Sequence, residues 1–291
     1  MHEIVTRTLE VPGAVLTYDV RAPERPGPAR PLLLVGSPMA AAGFGTLAGH
    51  LSDRTVVTYD PRGTDRSTVV DAGAPVTPAT RADDLHRLVE ALGGGPVDVF
   101  ASSGGAIDGL TWVAAHPGDV ATLVAHEPPL LDVLPDRDVL VAAMKAVRER
   151  YAAEGWGPAM ASFIALTSHV GPLPEDWVDR PAPDPAPFGL PTEDDGSRDD
   201  PLFGPAAAAT TEVVPDLAAV AAAPTRVVLA AGAASEGQVC ARSAAAVAER
   251  LGTRPVVFPG GHAGFLGGEY GQTGEPDAFA AALRAVLDGD G

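Results

Sequence analysis

The chain has 291 residues, 46% of them apolar and 20% charged, and carries a formal net charge of −18 at pH 7. That length suits about two domains, or one large α/β domain with an insertion. The acidic balance excludes nucleic acid and an anionic membrane surface as main partners, because both select clustered Lys and Arg, and no stretch is long and apolar enough to suggest a membrane span.

In chain order, the opening MHEIVTRTLEVPG shows no basic segment leading into an apolar core, so no signal peptide is expected. AVLTYDV (14–20) reads as a first strand, and RAPERPGPAR as a turn-rich connection. PLLLV (31–35) is continuously apolar, as a strand buried on both faces is. A small helix to His50 follows, then TVVTYD (55–60), another buried strand closed by the turn PRGTDRS. Residues 80–92 carry helical spacing at Leu85, Leu88, Val89 and Leu92, with Thr80 placed as N-cap. VDVF opens a strand at 97, a helix is expected over 104–116, and VATLVA (120–125) is a further strand. Strands alternating with helices at this rhythm predict a parallel sheet joined by right-handed crossovers.

The rhythm then breaks. Residues 136–154 and 158–169 read as two helices with no strand between them. Residues 171–205 hold nine prolines and nine acidic side chains against two arginines, which predicts a loop. Sheet rhythm resumes with TRVVLA (225–230), a helix near 241–251, PVVF ending at 258 and a last helix at 277–287. The expected organisation is a core of 1–127 and 216–291 with a helical lid of 128–215. The lid's apolar residues, among them Leu130, Leu131, Leu140, Met144, Phe163 and Ile164, either pack onto the core or line a pocket. The single Cys240 excludes an internal disulfide and suits a reducing cytoplasm.

VDVFASSGGAIDGL (97–110) sets small residues between a buried strand and a helix. Packing gives no reason for them, since glycine there loses backbone entropy and buries no side chain. A nucleophile on a sharp strand-to-helix turn does need tiny neighbours two positions before and two after. Ala101-Ser102-Ser103-Gly104-Gly105 satisfies that spacing with Ser103 at the centre, whereas Ser102 would leave Phe100 in a small position. The other reading is a small-residue turn with no chemistry.

On this motif the chain resembles the α/β-hydrolase family over nearly its whole length. The resemblance implies a mostly parallel sheet with helices on both faces and a helical lid. Serine needs a base within hydrogen-bond reach, and the family places its histidine after the last strand, where VVFPGGHAGF supplies His262. His2, His50, His86 and His169 lack that context, and His116 reads as a cation capping a helix C-terminus. The family's usual acid follows the next-to-last strand, three residues beyond a glycine. That register falls on Ser235, with Glu236 one position late. Some relatives resembling haloalkane dehalogenases carry a glutamate at the end of the strand after the nucleophile helix, 24 residues beyond the nucleophile. VATLVAHEPP offers Glu127 at that spacing. Glu127 is the first candidate acid, Glu236 the second and Asp132 the third. The family's oxyanion donors correspond to the backbone amides of Gly104 and Ser37, the latter in Val35-Gly36-Ser37-Pro38 where the family commonly has a histidine before the glycine. Asp60 to Ser67 matches a structural turn of the family apart from Asp65 in place of a glycine.

No phosphate-cradling P-loop, H-E-x-x-H or Cys/His cluster with metal spacing occurs, so no metal and no cofactor are expected. Serine at 103 also argues against dehalogenation or epoxide opening through an alkyl-enzyme ester, which needs a carboxylate nucleophile. The expectation is a cytoplasmic serine hydrolase acting on a small hydrophobic acyl substrate, compatible with a homo-oligomer and with a biosynthetic tailoring role. The competing expectation is a non-hydrolytic member of the fold, either a ligand receptor or a cyclase or acyl-transfer enzyme, since fold does not fix function.

Overall fold

The apolar run PLLLV becomes a strand whose side chains alternate between two cores. In the computed structural model, which describes residues 4–25, 27–71, 76–204 and 213–289, Leu32 and Leu34 face one cluster and Leu33 and Val35 the other. The strands are β1 (Ile4–Val11), β2 (Ala14–Arg21), β3 (Leu32–Ser37), β4 (Val56–Tyr59), β5 (Thr68–Val69), β6 (Val97–Ser103), β7 (Val120–His126), β8 (Arg226–Gly232) and β9 (Val256–Phe258). Their order in the sheet is β1-β2-β4-β3-β6-β7-β8-β9, with β5 on β2. From β4 to β9 the pairing is parallel, while β1 and β2 are antiparallel to their neighbours.

Helices cover both faces. Beneath one lie α1 (Gly45–His50) and the C-terminal helix α8 (Pro276–Asp288), which buries Phe279, Leu283 and Val286 against Phe100 and Val124. On the other lie α2 (Pro78–Ala91), α3 (Gly104–Ala115) and α7 (Val239–Arg250), packed on Val99, Ala101, Leu123 and Ala125. Between β7 and β8 come α4 (Arg137–Glu154), α5 (Trp156–Thr167) and the short α6 (Leu217–Ala222). Leu130, Leu140 and Leu166 of this stretch join the core of the α2/α3 face, while Val147, Tyr151, Ala159 and Phe203 form a smaller cluster.

Several expected boundaries shift. The N-cap of α2 is Thr77, whose hydroxyl accepts from the Thr80 amide at 3.2 Å, because Pro78 starts the helix earlier than Thr80. β1 precedes the strand expected first. It is exposed along most of its length and is held by its pairing with β2, so it has no apolar face to announce it. The turn after β4 is structural, as expected. Asp60 accepts from the Ala41 amide at 2.9 Å and from Arg66 Nε at 2.6 Å, and Ser67 Oγ donates to the Asp60 carbonyl at 2.7 Å.

Close packing at the β6–α3 turn explains the small residues. A Cβ on Gly104 would stand 2.5 Å from the Ser37 carbonyl oxygen, and one on Gly105 would stand 2.5 Å from that of Val35. Backbone cannot yield as a flexible side chain can. Gly105→Ala should therefore destabilise the protein by about 1–3 kcal/mol through overpacking. Gly118→Ala is the control, since nothing lies within 4 Å of the added methyl. Urea denaturation of the two variants checks this, and equal midpoints would contradict it.

Candidate active site

Ser103 ends β6 and starts α3 at φ 57°, ψ −130°. A non-glycine residue in that region costs about 1–3 kcal/mol. Register places it opposite Ser37 at the end of β3. Glu127, the residue after β7, is likewise at positive φ, 49°. Both strained residues stand at the carboxyl ends of parallel strands, where open α/β sheets form their binding crevice.

Three groups hold the Glu127 side chain or backbone. Its amide donates to the Ala230 carbonyl at 2.9 Å, its Oε1 accepts from the Gly232 amide at 2.8 Å, and its Oε2 meets His262 Nδ1 at 2.6 Å. Burial alone would raise this carboxyl. The hydrogen bond from His262, the neighbouring His126 and His262 rings and the Gly232 amide overcome that and lower it to about 2, so Glu127 is ionised throughout the neutral range. With Nδ1 engaged, His262 keeps Nε2 for a partner in the crevice.

Of the three candidate acids, the structure brings Glu127 to His262. Glu236 is exposed after a 3₁₀ turn, and Asp132 is taken by Arg137 Nε at 2.6 Å. Ser235, in the family's usual acid register, is buried behind Gly261, with no hydrogen-bond partner for its hydroxyl among the described residues. Gly232 makes the exchange possible. A Cβ there would stand 2.7 Å from the Gly260 carbonyl oxygen, so only glycine lets the His262 loop close while its amide serves Glu127.

Ser103, His262, Glu127, Ser37 and Gly104 all line one cavity of about 520 Å³. Its apolar wall includes Leu131, Met144, Phe163, Ile164 and Val239. Arg62, Arg81 and Arg198 also reach it, each with a carboxylate of its own: Asp84, Asp108 and Asp194.

The model of the alpha/beta hydrolase fold family matches residues 32–188, which carry β3, the turn at Ser103 and Glu127. The chain belongs to the alpha/beta hydrolase fold family. An uncharacterized hydrolase of Bacillus subtilis (strain 168), YraK, is 41% identical over 128 residues, a match covering 44% of this chain and 46% of that protein. Solved structures share the fold at lower identity. A proline iminopeptidase from Mycobacterium smegmatis is 20% identical, covers 98% of both chains and gives a TM-score of 0.65. A thermophilic esterase from Thermogutta terrifontis gives the same identity, coverage and score. The enol-lactonase of Burkholderia xenovorans LB400 is 17% identical over 97% of this chain and 100% of its own, with a TM-score of 0.65.

This alpha/beta hydrolase chain also has a buried histidine that sequence reasoning passed over. His126 pairs with Ser102 across β6 and β7, with Ser102 Oγ 3.1 Å from its Nδ1. Its ring sits among Phe100, Phe258 and Phe279. Strand alternation was the available signal, because Val124 and His126 share the face that α8 covers. His116 is the C-cap of α3, as expected, but its ring stacks on His86 at 4.0 Å, and desolvation together with His86 lowers its pKa, which disfavours the expected cation.

Among the described residues, His86, His116 and Asp119 bring potential metal-ligand atoms within 4.8 Å of one another. The two rings are nearly parallel, 7° apart. Imidazole binds a metal in its ring plane, so stacked rings cannot both direct a lone pair at one ion. His86 instead pairs with Asp119 at 2.7 Å, and that carboxylate also accepts from Trp112 Nε1 at 2.8 Å.

Burial lowers the His126 ring from 6.5 to about 4. The unfolded chain therefore binds a proton in that window that the folded chain refuses. This contribution to stability is present above pH 6.5 and is lost as pH falls toward 4, by on the order of 3 kcal/mol in total. His126→Phe should remove that slope. Unfolding free energies of both proteins between pH 7 and 4 test it, and parallel curves would refute the buried neutral ring.

Proposed function

We propose that the protein is a serine hydrolase cleaving an ester, lactone, thioester or amide of a small hydrophobic molecule through an acyl-enzyme on Ser103. The observation that carries this reading is the shared cavity. A serine held on a strained turn opens into the same space as a histidine whose Nδ1 is bonded to a buried carboxylate.

In the proposed reaction, Ser103 Oγ attacks the substrate carbonyl carbon while His262 Nε2 takes the hydroxyl proton. The amides of Gly104 and Ser37 receive the developing oxyanion. Each such donor typically contributes about 100- to 1000-fold in rate. His262 then gives its proton to the leaving group, and water, deprotonated by the same nitrogen, releases the acid and restores Ser103. Glu127 keeps Nδ1 protonated and stabilises the imidazolium without taking the proton. Its carboxyl, held near 2, is too weak a base to do otherwise at neutral pH. The wall of Leu131, Met144, Phe163 and Ile164 suits an apolar acyl or alcohol group. Similar folds include proteins named an esterase and an enol-lactonase, activities of the class proposed here.

An alkyl fluorophosphonate should label Ser103 and no other residue, as read by peptide mass spectrometry. Labelling at Ser102 would overturn the assignment of Ser103 to the turn, and no labelling of folded protein would favour a non-hydrolytic use of the cavity. Toward a neutral p-nitrophenyl ester, Glu127→Gln should lower turnover by up to about 10⁴-fold, as loss of the orienting carboxylate does in a serine protease. Glu236→Gln should leave it within a few-fold. The reverse pattern would move the acid to the other loop.

A further inference from the structure

Ser103 and Glu127 turn to opposite neighbours as they leave their strands. Ser103 keeps register with Ser37 of β3, whereas the Glu127 amide donates to the Ala230 carbonyl of β8 at 2.9 Å. The pairing of β6 with β7 ends one residue earlier, at Ser102 opposite His126. Both residues that follow take positive φ, 57° and 49°, so neither strand runs on in extended form.

A side-chain hydrogen bond joins the two strands at this last pair. Ser102 Oγ and His126 Nδ1 are 3.1 Å apart, and both side chains are buried. Either atom can donate, so the link holds in both neutral tautomers of the ring. As packing, the pair is a poor choice. His126 Nε2 has no hydrogen-bond partner among the described residues and lies amid Phe100, Phe258 and Phe279. An unmet polar atom there costs stability, and apolar side chains at both positions would avoid that cost. Position gives the pair another use. The residue after Ser102 is the proposed nucleophile, and the residue after His126 is the carboxylate bonded to His262 Nδ1.

We propose that Ser102 and His126 are positioning residues whose hydrogen bond clasps the ends of β6 and β7 and so sets the spacing of Ser103 from the Glu127–His262 pair. The inference rests on the acyl-enzyme reading and adds what holds the two halves of that site at a fixed separation. Spacing matters because a displacement of about 1 Å at a reacting centre can cost 100-fold.

The test is phosphonylation of Ser103 by an alkyl fluorophosphonate, resolved into reversible affinity (KI) and first-order rate (kinact), beside urea unfolding of each variant. Ser102→Ala removes the hydroxyl and leaves the His126 ring in place, 6.1 Å from that of His262. It should lower kinact about 10-fold with KI within about two-fold, a loss smaller than a full 1 Å displacement brings. It should also lower the unfolding midpoint, because Nδ1 loses its partner inside the protein. The double variant Ser102→Ala/His126→Leu has no unpaired polar atom at the site, so its midpoint should return to the wild-type value or exceed it. Its kinact should stay as low as that of Ser102→Ala, because both changes cut one link. Rate and stability thus separate, which a purely structural pair would not allow. Where the double variant does not fold, His126→Asn takes its place. Its amide can stand where Nδ1 stood, so kinact should stay within about three-fold of wild type although the smaller side chain lowers the midpoint. Ser102→Ala within two-fold of wild type, a double variant that regains the wild-type rate, or a loss in His126→Asn as large as in Ser102→Ala overturns the inference and leaves the hydrolase reading intact. Wild-type protein that does not label at Ser103 overturns the acyl-enzyme reading itself.

Discussion

The hydrogen bond between Glu127 and His262 joins residues 135 positions apart, and the surrounding backbone is arranged to permit it. β7 must end beside β8 so that the Glu127 amide can reach the Ala230 carbonyl and its Oε1 the Gly232 amide. The loop after β9 must then fold over Gly232, which it does only because that residue has no side chain. A carboxylate buried to this degree is costly without partners. Here two charge-assisted hydrogen bonds hold the ionised form, and one of them is the contact that orients the histidine.

The same economy governs the serine. Ser103 and Glu127 both occupy positive φ, and local sequence offers neither any relief. Their strain is offset by the cores on either side of the sheet, where alternate residues of β3, β6 and β7 enter opposite clusters. A rigid parallel sheet thus delivers two strained side chains to one crevice, and the helices between β7 and β8 supply part of its apolar wall. No helix among the described residues is long and apolar enough to cross a membrane, in keeping with apolar residues spent on these internal faces.

The charges near the cavity follow a different logic. Arg62, Arg81 and Arg198 each meet a carboxylate from the chain itself, so the wall presents bound guanidinium groups within a mainly apolar surface. The acidic loop between α5 and β8 reaches the same rim through Asp199 and Asp200. Strong net negative charge and a self-neutralised pocket are compatible because the acidic excess lies mostly on exposed stretches such as 192–199.

Some features were legible from the order of residues alone. Continuous apolar runs marked β3, β4 and β6, and the small residues around Ser103 marked a tight strand-to-helix turn. His262 was legible from its place after the last strand. These signals are local, resting on a few neighbouring residues and on the period of a strand or helix. Exposed β1 left no such mark, because pairing with β2 and not burial creates it. Glu127 ranked ahead of Glu236 and Asp132 by its spacing from Ser103, but that ranking rested on resemblance, and it is the convergence of β7, β8 and the β9 loop that brings its carboxylate to His262. The Ser102–His126 pair and the Arg81–Asp108 pair likewise join separate elements. Sequence determined which elements form and which serine can sit on a strained turn, because those depend on local sterics and burial. Tertiary structure decided which carboxylate meets the histidine and which charges meet underground, because such contacts depend on distances that only the assembled sheet sets.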